Sequence, residues 1–276
     1  MLGACAIVDS PAARRDRATA MALANGFEAV SVPSPPFVIA GFRRVTDGAA
    51  DRLTVYVEGD GAAWRTRFHP AADPTPRRPV ALALAVGDDS PAVLYLARPC
   101  QQVTAASRAG CAVRYWTSHR YSAAVVDSLD RVVDRAKASV GARDVELIGF
   151  SGGGVVAALL AARRGDVRLL VTVAANLDHA AWTEAHGLAP LGGSVSPLQH
   201  VGALRRVPQV HYYGDRDEIV PETVNARYFQ ALAGAPLSRH EVADTGHACC
   251  WAPVWPALIA AARDTVLASS PKASSP

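Results

Sequence analysis

The stretch Asp144-Val145-Glu146-Leu147-Ile148-Gly149-Phe150-Ser151-Gly152-Gly153-Gly154, followed by Val155-Val156-Ala157-Ala158-Leu159-Leu160-Ala161-Ala162, decides the fold. Its first part is a short β-branched and aliphatic run suited to a buried strand, and its last part is an all-apolar run suited to a buried helix. Between them lies G-x-S-x-G. A serine presented at a strand-to-helix turn has a strained backbone, and strand and helix can pass that closely only where residues lack a Cβ. Gly149 and Gly153 supply the clearance. Ser151 then stands at a helix N-terminus, where free N–H groups and the dipole favour negative charge, and the N–H of Gly152 is the natural oxyanion donor. With 21 Gly and 17 Ser in 276 residues, chance supplies the motif about 0.1 times in such a chain, so its surroundings must carry the argument.

Downstream, two loops follow strand-like runs. After Gln209-Val210-His211-Tyr212-Tyr213 comes Gly214-Asp215-Arg216-Asp217-Glu218-Ile219-Val220-Pro221, with Pro221 opening a helix. An acid at the C-terminal edge of a parallel sheet can fix a histidine's tautomer and stabilise its imidazolium. Asp217 takes this role because it lies later in the turn, clear of the strand, and Asp215 is expected to brace the turn. After Arg239-His240-Glu241-Val242 comes Asp244-Thr245-Gly246-His247, which puts His247 on the loop before the last helix. His211 and His240 lie within strands and read as packed or solvated. Asp178, in Asn176-Leu177-Asp178-His179, is another acid near the sheet edge and is read as structural.

In the order Ser151, Asp217, His247, each in the loop after its own strand, the chain resembles the α/β-hydrolase superfamily over roughly residues 37 to 267. The resemblance implies an α/β fold: a mostly parallel, doubly wound sheet of about eight strands with helices on both faces and a small cap or none. It also implies a serine nucleophile and ester or related acyl-transfer chemistry without a cofactor. Where lipases and esterases carry H-G-G-G, this chain has Glu58-Gly59-Asp60-Gly61-Ala62-Ala63-Trp64. By position the N–H of Asp60 is the second oxyanion donor, with Gly59 and Gly61 permitting the tight turn. The Asp60 carboxylate is expected to point away from the hole, and Glu58 to pair with an arginine behind the loop. The string as a whole is similar to that of an exported subgroup of bacterial α/β hydrolases.

The rest of the chain fits one α/β domain over residues 32–268, preceded by a segment 1–31 and followed by a disordered Ser/Pro-rich tail, 269–276. Arg17, Ala20, Met21, Leu23 and Ala24 suggest a short outer helix that the Pro33-Ser34-Pro35-Pro36 cluster stops. Phe37–Phe42 and Leu53–Val57 read as an antiparallel pair joined by Thr46-Asp47-Gly48. Ala92–Leu96 and Arg168–Ala174 are further strands, Ser122–Val133 is an amphipathic helix, and a last helix lies near Trp255–Leu267.

Net charge is +3, Lys occurs only at 137 and 272, and the basic residues are scattered, which excludes a concentrated nucleic-acid surface. No run approaches the roughly 18 apolar residues of a membrane span. No Cys/His spacing matches a metal site. Leu2-Gly3-Ala4-Cys5 resembles a lipobox, which makes Cys5 a lipidation candidate and the envelope or periplasm the expected location, with the cytoplasm as alternative. A Cys100–Cys111 disulfide would suit such an oxidising compartment, closing a short loop worth just under about 3 kcal/mol. Cys249 and Cys250 read as two buried thiols rather than a vicinal disulfide. Trp64, Tyr115, Trp116 and Trp182 fall in loops expected to border the pocket. The expected activity is hydrolysis of a small-molecule ester; peptidase or thioesterase chemistry and a non-catalytic binding protein are the alternatives.

Overall fold

A computed structural model of the protein describes residues 9–46 and 50–269; Cys5, Asp47, Gly48 and the tail beyond Ser269 lie outside the described residues. Helix α1 (Pro11–Ala24) leads into strands β1 (Glu28–Ser34) and β2 (Phe37–Val45). Strand β3 (Arg52–Val57) follows, then a small flap of β4 (Trp64–Thr66) and β5 (His69–Pro70), helix α2 (Val80–Val86) and β6 (Ala92–Leu96). The second half runs α3 (Ala123–Val140), β7 (Asp144–Phe150), α4 (Gly152–Arg163), β8 (Val167–Val173), α5 (His179–Ala185), α6 (Val201–Leu204), β9 (Gln209–Gly214), α7 (Ala226–Ala231), β10 (Leu237–Val242) and α8 (Trp251–Ser269).

Eight strands form one sheet in the order β1-β2-β6-β3-β7-β8-β9-β10, in which β2 runs antiparallel to both its neighbours and the other pairings are parallel. The central strands are mostly apolar because helices cover both faces. Alternation along them sorts side chains into two cores. Val55, Val57 and Leu147 face α3 and α4, whereas Tyr56, Ile148 and Phe150 face α1, α2 and α8. Amphipathic α3 buries Val125, Val126, Leu129, Val132 and Val133 and ends at Gly141, whose φ of 68° is the left-handed stop a glycine accepts without strain.

Helix α8 is bound to the sheet by polar contacts as well as packing. The Trp255 indole N–H donates to the Tyr56 hydroxyl (3.0 Å), which itself donates to Asp88 (2.6 Å). Arg263 pairs with Asp88 (2.8 Å) and Glu146 (2.9 Å), both buried. Among the described residues no helix is long and apolar enough to cross a membrane.

The N-terminal half departs from the sequence reading in three ways. Strands β2 and β3 are not paired, because β6 lies between them, antiparallel to β2 and parallel to β3. Helix α2, absent from the sequence reading, makes the crossover that returns β6 beside β3, so the sheet is filled before β2 can reach it. Proline does not end α1, which stops at Asn25; Pro35 and Pro36 instead turn the chain between β1 and β2, and Pro33 is tolerated because β1 is an edge strand.

Candidate active site

Six chain segments meet at the C-terminal edge of the sheet, where open α/β sheets bind ligands. Ser151 directly follows β7 and precedes α4. Its φ of 50° and ψ of −126° are unusual for a residue with a side chain, and its N–H is held by the Val173 carbonyl at 2.8 Å. A Cβ on Gly153 would lie 2.2 Å from the Val57 carbonyl, and one on Gly149 2.4 Å from the Gly153 carbonyl. The glycines therefore permit the sharp bend through backbone contact, as their spacing suggested.

His247 Nε2 lies 3.0 Å from Ser151 Oγ, and His247 Nδ1 lies 2.9 Å from Asp217 Oδ2. The second Asp217 oxygen accepts the amides of Ile219 (2.9 Å) and Val220 (2.8 Å), which fixes the carboxylate's orientation. Burial favours the neutral acid, but the hydrogen bond and charge of His247 and these amides outweigh it and hold Asp217 below the usual carboxylate range. Nδ1 is thus the protonated nitrogen and Nε2 is free to accept from the serine. The His247 loop is braced by Asp215, which accepts the Thr245 amide at 3.1 Å, and by the Trp251 indole, which donates to the Gly246 and His247 carbonyls. Asp178, fully buried, caps α5 through the Ala181 amide and pairs with Arg227.

Asp60 follows β3 and faces the first turn of α4. Its carboxylate lies against Gly152, where an added Cβ would meet Asp60 Oδ1 at 2.2 Å and the Tyr121 hydroxyl at 2.7 Å. Distance therefore does not remove its charge from the neighbourhood of the hole; two guanidinium groups neutralise it. Arg98 pairs with Oδ1 (3.2 Å), Arg120 with Oδ2 (2.6 Å), and Tyr121 donates to Oδ2 (3.2 Å). Burial would raise the Asp60 carboxyl, but these cations and hydrogen bonds bring it below its ordinary value. Behind the loop, Glu58 pairs with no arginine among the described residues, contrary to the sequence expectation. It accepts from the Gly59 amide (2.9 Å), the Ala81 amide (3.4 Å) and the Tyr95 hydroxyl (3.2 Å), and burial raises it from 4.5 to about 7. A neutral acid suits this dry site without a counterion.

Comparison with family models and with curated proteins gives no match. Solved structures do match. Est1E from Butyrivibrio proteoclasticus is similar at a TM-score of 0.61 and 14% identity, covering 87% of this chain and 99% of that one. XC6422 from Xanthomonas campestris, described as an α/β serine hydrolase without lid, matches at 0.57 and 15%, covering 91% and 97%. A puromycin hydrolase matches at 0.61 and 19%, covering 88% of this chain and 40% of that one. The chain has the α/β-hydrolase fold. In that fold Ser151, Asp217 and His247 stand in the loops after β7, β9 and β10, three stations at one edge of the sheet.

Beside these stations the hydrolase fold holds a cavity of about 610 Å³. Trp64 on the β4–β5 flap and Trp182, which lies on α5 rather than in a loop, line it. Tyr115 and Trp116 do not. Tyr115 packs edge-on against Phe37, and Trp116 is buried with its indole donating to the Ala71 carbonyl, so both are core plugs of the loop before α3. None of Ser151, Asp217 and His247 lines the cavity; its wall includes Arg120, which binds Asp60, and Trp182, whose indole donates to the Ile219 carbonyl. Sequence reasoning missed Arg98, Arg120 and Tyr121. The available signal was Arg98's station in the loop after a parallel strand.

Cys100 and Cys111 are bonded, as expected. Cys249 and Cys250 are bonded to each other and exposed, correcting the reading as buried thiols. They lie in the tight, solvent-facing link between His247 and α8, where no core exists to bury a thiol. Among the described residues no group of three or more His, Cys, Asp or Glu could hold a metal ion.

Proposed function

We propose that the protein is a serine hydrolase that cleaves carboxylic esters through an acyl-enzyme on Ser151. The observation that carries this reading is the unbroken chain from Ser151 Oγ to His247 Nε2 (3.0 Å) and from His247 Nδ1 to Asp217 (2.9 Å). His247 takes the Ser151 proton as Oγ attacks the acyl carbonyl, and Asp217 stabilises the resulting imidazolium. The oxyanion is held by the backbone amides of Gly152, at the N-terminus of α4, and Asp60, in the loop after β3. His247 then returns the proton to the departing alcohol, and water repeats the sequence to free the acid.

Peptide-bond chemistry is the second reading, favoured by the likeness to a puromycin hydrolase. Two experiments test the proposal. A fluorophosphonate probe should label Ser151 in folded protein, and short-chain p-nitrophenyl esters should be hydrolysed in preference to matched anilides. Ser151→Ala should lower kcat by at least about 10⁴-fold with an unchanged thermal melt. Retention of wild-type turnover in that variant would refute the assignment, and failure of the probe to react would favour a non-catalytic binding protein.

A further inference from the structure

Arg98 and Arg120 share one carboxylate, that of Asp60, so the cluster beside Gly152 carries one more positive than negative charge. Arg98 is committed inward, giving one terminal nitrogen to Asp60 and the other to the Arg120 carbonyl. Arg120 is different. It is only 5 % exposed, yet it forms part of the cavity wall. Its Nε donates to the Thr117 carbonyl and its Nη1 to Asp60, the Tyr121 hydroxyl is a further hydrogen-bond partner, and among the described residues no second carboxylate pairs with it. Asp60 and the Tyr121 hydroxyl outweigh the cost of burial and keep Arg120 charged, so a cation stands in the cavity wall.

The cavity supplies no anion to pair with it. Its wall contains no Asp or Glu, and the only other charged group in it is a second cation, Arg67 on the flap, held by the Gly187 carbonyl at 3.2 Å. The rest of its wall is mostly apolar, with Trp64, Phe68, Trp182 and Leu188 prominent beside the hydroxyl residues Thr66, Thr117, Ser118 and Thr183. Such a chamber accepts an apolar body of drug-like size. From Arg120 the path to the proposed nucleophile is short: its guanidinium bonds the carboxylate that touches Gly152.

The geometry points to an anionic apolar ester as the substrate class: the part of the substrate that enters the cavity has an aromatic or aliphatic body and bears a carboxylate that binds Arg120. This inference rests on Ser151 being the nucleophile. Arg120 is then a specificity-determining residue, and hydrolysis releases the acid or alcohol that carries the extra carboxylate.

Two matched ester series test it. On the acyl side, the p-nitrophenyl monoester of octanedioic acid is compared with its methyl-capped diester. On the alcohol side, 4-carboxyphenyl octanoate is compared with 4-carbamoylphenyl octanoate. In one series the carboxylate member should be preferred by about 10- to 100-fold in kcat/KM, the discrimination expected of a hydrogen bond to a charged group. Arg120→Gln should bring that ratio to about 1. Should this variant fail to fold, inhibition of the wild type decides: 6-phenylhexanoate should compete with a neutral ester at least about 10-fold better than its amide. Hydrolysis of the neutral esters and probe labelling of Ser151, with no carboxylate preference in either series and equal inhibition by acid and amide, would overturn the inference and leave the hydrolase reading intact. Absence of both hydrolysis and labelling would overturn both.

Discussion

At Ser151 the backbone holds a φ of 50°, a conformation that costs a non-glycine residue of order 1–3 kcal/mol. The Val173 carbonyl and the glycine contacts on either side stabilise it, so the bend belongs to the packing of strand against helix. Choosing between two acids tests the residue assignments. Asp217→Asn should lower kcat on the order of 10⁴-fold, because the amide orients the wrong histidine tautomer. Asp178→Asn should leave kcat within a few-fold and instead weaken the α5 cap and the Arg227 pair; esterase assays and melts on both variants would separate the roles. Asp217 and His247 were legible because each falls at a fixed station after its own strand. Arg98 and Arg120 were not, because their partner Asp60 lies 38 and 60 residues away and no local pattern joins them.

The loop after β3 has its own pH dependence. Glu58, raised to about 7, binds its proton more tightly in the folded chain than in the unfolded one, so its contribution to stability is complete below about pH 4.5 and is lost as pH rises through about 7. The asparates at the site are shifted the other way, and their contributions are lost only on acidification below their ordinary range. Between pH 5 and 7.5 the Glu58 contribution should therefore fall by about 2 kcal/mol, against an opposite slope from buried His211, lowered to about 3, and Glu58→Gln should remove only the Glu58 part. Melting temperatures of both proteins across this range check it; equal slopes would contradict the account. Elements buried on both faces, such as β7 and α4, were readable from their apolar runs alone. Strand β1 escaped notice because it is an edge with mostly partly exposed or exposed residues and contains a proline, and the pairing of β2 was misread because sequence proximity carries no information about the insertion of β6.

Across the whole molecule, the Cys100–Cys111 bridge closes the loop that supports the Asp60 turn. Gln101, beside Cys100, donates to the Gly59 carbonyl at 3.0 Å and accepts the Arg98 amide at 3.1 Å. The Cys100→Ala/Cys111→Ala variant should lose just under about 3 kcal/mol, a fall of about 5–10 °C in Tm, and should also lose kcat; calorimetry with parallel ester assays would show both. The attachment of α8 has a practical consequence for protein engineering. Arg263 sits far along that helix yet pairs with both Asp88 and Glu146, which is also bound by Arg52; both acids are buried away from the Ser151, Asp217 and His247 loops. A deletion ending before residue 263 would strip Asp88 of its guanidinium partner, at about 3–5 kcal/mol for a buried pair so broken, and shortened versions should accumulate as insoluble material, whereas a fusion appended after the helix leaves the latch closed.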